Sequence, residues 1–231
     1  MPAENMLEGL DPYELMDAEA ARIDRFVSTL GPAQQEAPSA CEGWTVKDVV
    51  GHLAASEEYN HACLDDGLAA LFVRLGAAGA TDMDSFNAYG VRERAGRPIA
   101  DVLDEWRRTC ARTRTELRHR DGKTLATMVG PYPVRWQAFH LASELATHGD
   151  DIGAPPLPGS GEWRARFAAF AVPEAKPEVV VELQAGTARV TAGGREVTLT
   201  TDDLVAAANG RLAADHPLDP ALRAALNVVG S

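Results

Sequence analysis

Along the first two thirds of the chain, hydrophobic residues recur every three to four positions, the period of a helix with one buried face. Between residues 12 and 30, Leu15, Ala18, Ala21, Ile23, Phe26 and Leu30 form a broad apolar stripe that Gly31-Pro32 ends. A second helix is expected from Thr45, whose hydroxyl can cap free backbone N–H groups, with Asp48 placed where a carboxylate favours the helix dipole. Its stripe runs through Val46, Val49, Val50, Leu53, Ala54, Leu64, Leu68 and Leu71 to about Leu75, with a break near Asp65 to Gly67. Residues 76–97, rich in Gly, Asp and Arg, predict a connection. Pro98 suits the first turn of a third helix reaching about His119, with Val102, Leu103, Trp106, Cys110, Thr113 and Leu117 inward. After the breaker-rich residues 121–133, a fourth helix is expected from Val134 to about Ile152, ended by Gly153-Ala154-Pro155-Pro156. Four such helices bury their stripes most economically as a bundle.

The period then changes. Residues 155–161 have the composition of a linker, a short helix is expected around 163–170, and residues 179–183, 188–191 and 196–199 predict strands, with Gly193-Gly194 as a hairpin turn. A helix over about 201–212 and another opened by Asp219-Pro220 close the chain. The expected fold class is therefore mainly α, a four-helix bundle followed by a small α+β domain. The expected division is 1–155 for the bundle, 156–174 for a linker and short helix, and 175–231 for the α+β domain.

Composition narrows the partners. A length of 231 residues accommodates two units, and a net charge of −12 opposes binding to nucleic-acid backbones, which relies on clustered Lys and Arg. No apolar run approaches the roughly 20 residues that span a bilayer, and the acidic start carries no basic and apolar leader, so a cytoplasmic protein with no membrane anchor is expected. Cys41, Cys63 and Cys110 are scattered without metal or redox spacing and are expected to be reduced thiols.

The fourth helix carries the candidate chemistry. His140, Glu144, His148 and Asp151 repeat at i, i+4, i+8 and i+11, so they share one stripe. A Glu/His pair at this spacing is by itself commonly the wet face of an amphipathic helix. His52, flanked by Val49, Val50 and Leu53, would alone be an ordinary core histidine. Together these residues resemble a known pattern. The run Cys41-Glu-Gly43-Trp44-Thr45-Val46-Lys-Asp48-Val49-Val50-Gly-His52-Leu53 resembles the N-terminal signature of the mycothiol-dependent maleylpyruvate isomerase family, part of the DinB-like four-helix superfamily. Glu144, His148 and Asp151 resemble its second signature, about 90 residues later.

The resemblance covers roughly residues 12–155, and the tail looks like a shortened form of the family's C-terminal domain. It implies zinc, or another divalent metal, held by His52, Glu144 and His148, with mycothiol as thiol cosubstrate. Two imidazoles and one carboxylate leave zinc an open position, and the same ligand types also suit ferrous iron. His140 and Asp151 are the candidate catalytic groups, as a proton carrier or by orienting a ligand. Asp150 departs from the family, which usually has Trp there. Arg92, Arg94 and Arg97 cluster where they could hold substrate carboxylates, and Arg211 lies in a tail whose family counterpart supplies a functional arginine. Arg92, Arg94 and Arg211 are therefore the candidate substrate-binding residues. Cys41 falls within the signature but is expected to be a bystander.

The leading expected function is a thiol-dependent isomerase or S-transferase, whose partners are a small-molecule electrophile and a low-molecular-weight thiol. A zinc-hydroxide hydrolase without thiol and a non-catalytic metal-containing binding protein are the alternatives.

Overall fold

A computed structural model describes residues 4–228, which divide into two compact units, 11–157 and the pair of segments 4–10 and 158–228. Residues 4–10 group with the second unit, as does the segment expected as linker and short helix from residue 158 onward.

In the first unit the four long helices are α1 (Pro12–Val27), α3 (Val46–Leu64), α6 (Ile99–His119) and α7 (Val134–Asp151), with the short α2 (Pro32–Gln35), α4 (Leu68–Ala77) and α5 (Met83–Ala95) between them. Helix α1 packs on α7 and α6, and α3 packs on α6 and α7, which closes the bundle. Its interior is filled by Met16, Ile23, Val49, Val50, Val102, Trp106, Leu117, Ala138, Phe139 and Ala142, all at most 2% exposed. Local chemistry sets the helix ends. Asp11 caps α1, and Thr45 with Asp48 forms a reciprocal capping box at the start of α3.

Two sequence readings are corrected here. Residues 76–97 are largely helical, because an Asp82–Ser85 capping box starts α5 and its face packs closely on α3. The contact is made at Gly90, where a Cβ would overlap the Ala55 methyl, so the glycine that read as a breaker is a packing residue. Residues 121–133 contain an antiparallel hairpin, β1 (Thr124–Thr127) with β2 (Gly130–Pro133). Strands of four residues with two prolines carry too little alternation to be recognised.

The second unit contains a 3-10 turn (Glu4–Leu7), α8 (Ser160–Ala175), the sheet β3 (Val180–Gln184), β4 (Thr187–Ala192) and β5 (Arg195–Thr200), then α9 (Thr201–Ala208) and α10 (Pro220–Leu226). The strands form an antiparallel meander in that order, with Val181 opposite Val190 and Val190 opposite Val197. Gly193 and Gly194, at φ 55° and 74°, make the β4–β5 turn that only residues tolerant of positive φ accept. Helix α8 is longer than its short apolar core suggested and packs on the 3-10 turn and α9, where Arg166 Nε donates to the Met6 carbonyl at 2.6 Å. No helix among the described residues is long and apolar enough to cross a membrane.

The close approach of α5 to α3 has a testable consequence. Gly90→Ala should destabilise the protein by about 1–2 kcal/mol through overpacking, although alanine is the better helix former. Urea denaturation measures it, and an unchanged or raised stability would contradict the packing described.

Candidate metal centre

The site forms where the start of α3 meets the end of α7. The capping box at Thr45 fixes the first turn of α3, and His52 follows in the second turn, 6% exposed. On α7 the four-residue spacing brings Glu144 and His148 to the same face, and the three side chains converge: one ligand atom from each of His52, Glu144 and His148 lies within 4.8 Å of the others. His52 Nε2 stands 3.5 Å from Glu144 Oε1, and the His52 and His148 rings meet edge to face at 4.7 Å between centroids.

Exposure differs along this cluster. The side chains of His52 and Glu144 are 8% and 36% exposed and that of His148 13%, so the cluster is closed at the histidines and open at the carboxylate. Trp44 packs against His52 at 5.2 Å between ring centroids. It is placed there by the turn that precedes α3, in which Gly43 has φ 76° and Trp44 N–H donates to the Cys41 carbonyl at 3.0 Å. Sequence reading placed Trp44 in the signature without giving it a position in the site.

Asp151, 5% exposed, binds His148 Nδ1 at 2.9 Å through Oδ2 and so commits that nitrogen, leaving Nε2 as the second donor position of the ring. The same Oδ2 accepts from the Cys41 thiol at 3.1 Å. Cys41, His148 and Asp151 thus form a second cluster with donor atoms within 4.8 Å, sharing His148 with the first. Cys41 is therefore tied into the site, a role that its scattered sequence position did not signal.

Electrostatics follows from this enclosure. Burial pushes His52 toward its neutral form, with the hydrogen bond to Glu144 opposing. The protein packed around the inner part of Glu144 works against its charge, but the hydrogen bond with His52 and the field of both histidines hold its carboxyl below the usual range. Burial would lower His148 too. The Asp151 and Cys41 contacts outweigh it and raise the ring to about 9.

The donor set fits a divalent ion. Two imidazoles and one carboxylate are the ligand types of open zinc sites, and one donor atom from each lies within 4.8 Å of the others.

The remaining candidates lie elsewhere. His140 bonds the Tyr132 hydroxyl at 3.1 Å and belongs to neither cluster, which places it one turn away as a polar neighbour. Arg94 is buried and bound to Glu105 at 2.6 Å, Glu58 at 3.0 Å and the Gly90 carbonyl at 3.0 Å, so its guanidinium is committed to holding α5 against α3 and α6 and does not present itself to a substrate. Arg97 also pairs with Glu105. Arg92 is exposed and lies over the Tyr89 ring at 6.0 Å, and Arg211 is exposed in the second unit, where it bonds the Asn209 carbonyl at 3.3 Å. Asp150 pairs with Arg22 at 2.9 Å, so the carboxylate found where the family usually has Trp has a specific partner.

The fold and these contacts define a helical bundle with a clustered His-Glu-His centre. The chain belongs to the mycothiol maleylpyruvate isomerase N-terminal domain family, which it matches over residues 16–153. It is similar in fold to the crystal structure of the mycothiol-dependent maleylpyruvate isomerase, with a TM-score of 0.64 at 17% identity over 93% of this chain and 91% of that one. A point mutant of that isomerase gives the same TM-score of 0.64 at 16% identity, over 91% of this chain and 90% of that one. Uncharacterized proteins of two Mycobacterium tuberculosis strains are 29% identical over 136 residues, 58% of this chain and 52% of theirs. The chain thus spans about half the length of the curated relatives it matches.

The Asp151 contact predicts a pH signature for the metal-free protein. With the folded ring raised from 6.5 to about 9, the stability contributed by protonated His148 is complete below about pH 6.5 and is lost as pH rises through about 9. Asp151→Asn should lower the ring's titration point, followed by NMR of the imidazole; an unchanged titration would contradict the assigned contact.

Proposed function

We propose that this chain is a metal- and thiol-dependent enzyme, an isomerase or S-transferase that uses mycothiol on an electrophilic small molecule, with a divalent ion, zinc by preference, held by His52, Glu144 and His148. The observation that carries this reading is the convergence of those three side chains, with Asp151 behind His148, in a chain of this family. The similar solved isomerase supports a maleylpyruvate-like acid as the substrate class.

When bound, a divalent ion supplies a positive centre that favours the thiolate of a low-molecular-weight thiol near neutral pH. The side chains supply the rest. His52 and His148 contribute neutral nitrogens and Glu144 a single negative charge, so the ligand set does not cancel the charge of the ion. Asp151 fixes the His148 ring by its Nδ1, and the Trp44 ring packs beside His52. The exposed edge of Glu144 marks the side on which thiol and electrophile approach. His140, one turn before Glu144 on α7 and hydrogen-bonded to the Tyr132 hydroxyl, would serve as the proton carrier.

In the isomerisation, the thiolate adds to a carbon of an activated double bond, rotation follows about the resulting single bond, and elimination restores the double bond and releases the thiol unchanged. In the transferase the carbon–sulfur bond is retained, the adjacent carbanion taking up a proton or, in a displacement, the leaving group departing with its electron pair. No protein nucleophile is required, because Cys41 is engaged by Asp151 and Cys63 and Cys110 are buried, where burial raises both thiols.

The test combines metal analysis and turnover. Freshly purified protein should hold one divalent ion per chain, and Ala at His52, Glu144 or His148 should strip it, whereas Ala at His61 or His119 should not. Metabolite mixtures incubated with the metal-loaded protein should show turnover, read by mass spectrometry, only when mycothiol is present. Cys41→Ala should keep most of it. Turnover at an unchanged rate without any thiol, with oxygen from water in the product, would reject the reading in favour of hydrolysis.

A further inference from the structure

Behind the metal-facing stripe of α7 lies a buried cation that the chemistry above does not use. Arg22, on α1, is 3% exposed, and Glu19, one turn before it, is 1% exposed with its Oε2 3.1 Å from Arg22 Nε. Arg22 Nη2 reaches across to α7, where it donates to the Ala146 carbonyl and to Asp150 Oδ1, each at 2.9 Å. Between these two acceptors lie Thr147, His148 and Gly149. A Cβ at Gly149 would overlap the guanidinium, so only glycine at this position lets the arginine lie flat against α7.

At about 100° per residue, Ala146, Gly149 and Asp150 fall on the face of α7 opposite Glu144, His148 and Asp151. The guanidinium therefore grips the last turn of the helix from the back, at points on either side of His148. Its charge also suits the carbonyl end of a helix. A buried ion pair adds little net stability, since desolvation offsets most of the attraction, but it has one geometry. The planar fork of arginine fixes both distance and rotation, which a lysine ammonium does not.

We propose that Arg22 is a positioning residue for the metal centre: with Asp150 and the Ala146 carbonyl it sets the rotation of the last turn of α7 and so the placing of His148 and Asp151 against His52. This inference rests on the metal reading given above. It also gives Asp150 a use at the position where a Trp was expected, since the carboxylate completes the grip on the guanidinium.

The probe is Co(II), titrated into metal-free protein and followed by its visible absorption, at a temperature where circular dichroism shows every variant fully folded. Arg22→Lys and Asp150→Ala should each weaken Co(II) binding by roughly tenfold, the scale of changes in residues that orient ligands, and should alter the shape of the absorption band. Asp150 is 41% exposed, so its variant tests the grip even if Arg22→Lys does not fold. Arg107→Ala, which breaks an exposed pair with Asp24 on α1, should leave binding unchanged. Wild-type affinity and spectrum in both Arg22→Lys and Asp150→Ala, or in Asp150→Ala alone where the lysine variant does not fold, would overturn the proposal while leaving the metal reading intact. Failure of the wild-type protein to bind Co(II) would reject the metal reading instead. The His148 ring resonance of metal-free Asp150→Ala then decides the grip: displacement supports it and an unmoved resonance rejects it.

Discussion

Helix α7 has to bury polar groups on two opposite faces at once. Toward α3 it presents Glu144, His148 and Asp151, and toward α1 it presents the acceptors that hold Arg22. Burying an ionisable group without a partner costs several kcal/mol, so each of these contacts constrains the bundle more sharply than its apolar filling does. Leucines and valines tolerate rotation of a helix by a fraction of a turn. A carboxylate shared by a histidine at 2.9 Å and a thiol at 3.1 Å does not.

The same constraint explains the form of the site. His148 is committed at Nδ1 by Asp151, His52 packs against Trp44, and Glu144 keeps contact with solvent. Two enclosed nitrogens and one open carboxylate give a centre that is fixed on one side and accessible on the other. That asymmetry suits binding a small molecule at the open side. The two clusters that share His148 also divide the chemistry, one facing His52 and Glu144 and the other holding Cys41 and Asp151 together.

Much of this was legible in the sequence, for identifiable reasons. The stripe from Val102 to Leu117 gave both a long helix and its buried face, whereas of the stripe read from Leu15 to Leu30 the helix was right but only Ile23 is buried, the face being filled by Tyr13, Met16, Ala20, Ile23 and Val27. The i, i+4 spacing put Glu144 and His148 on one face, but it was the resemblance of the run from Cys41 to Leu53 and of Glu144, His148 and Asp151 to the family's two signatures that joined them to His52. Helix α5 was hidden because its packing depends on a glycine, Gly90, and on Arg94, which scored as loop residues. The β1–β2 hairpin was hidden because it is short and contains Pro131 and Pro133. Arg94, a substrate-binding candidate on sequence, is committed to Glu58 and Glu105, partners that its position in the sequence does not signal. Long-range polar partners such as Arg22 and Asp150, 128 residues apart, leave no local pattern to read.

The most direct measurement of the central claim is the X-ray absorption fine structure of the zinc-loaded protein in the absence of any added thiol. Binding by His52, Glu144 and His148 gives a shell of nitrogen and oxygen only, at about 2.0–2.2 Å, including the imidazole pattern of two histidines. A sulfur scatterer at about 2.3 Å would place the ion in the cluster of Cys41, His148 and Asp151, and would contradict the account.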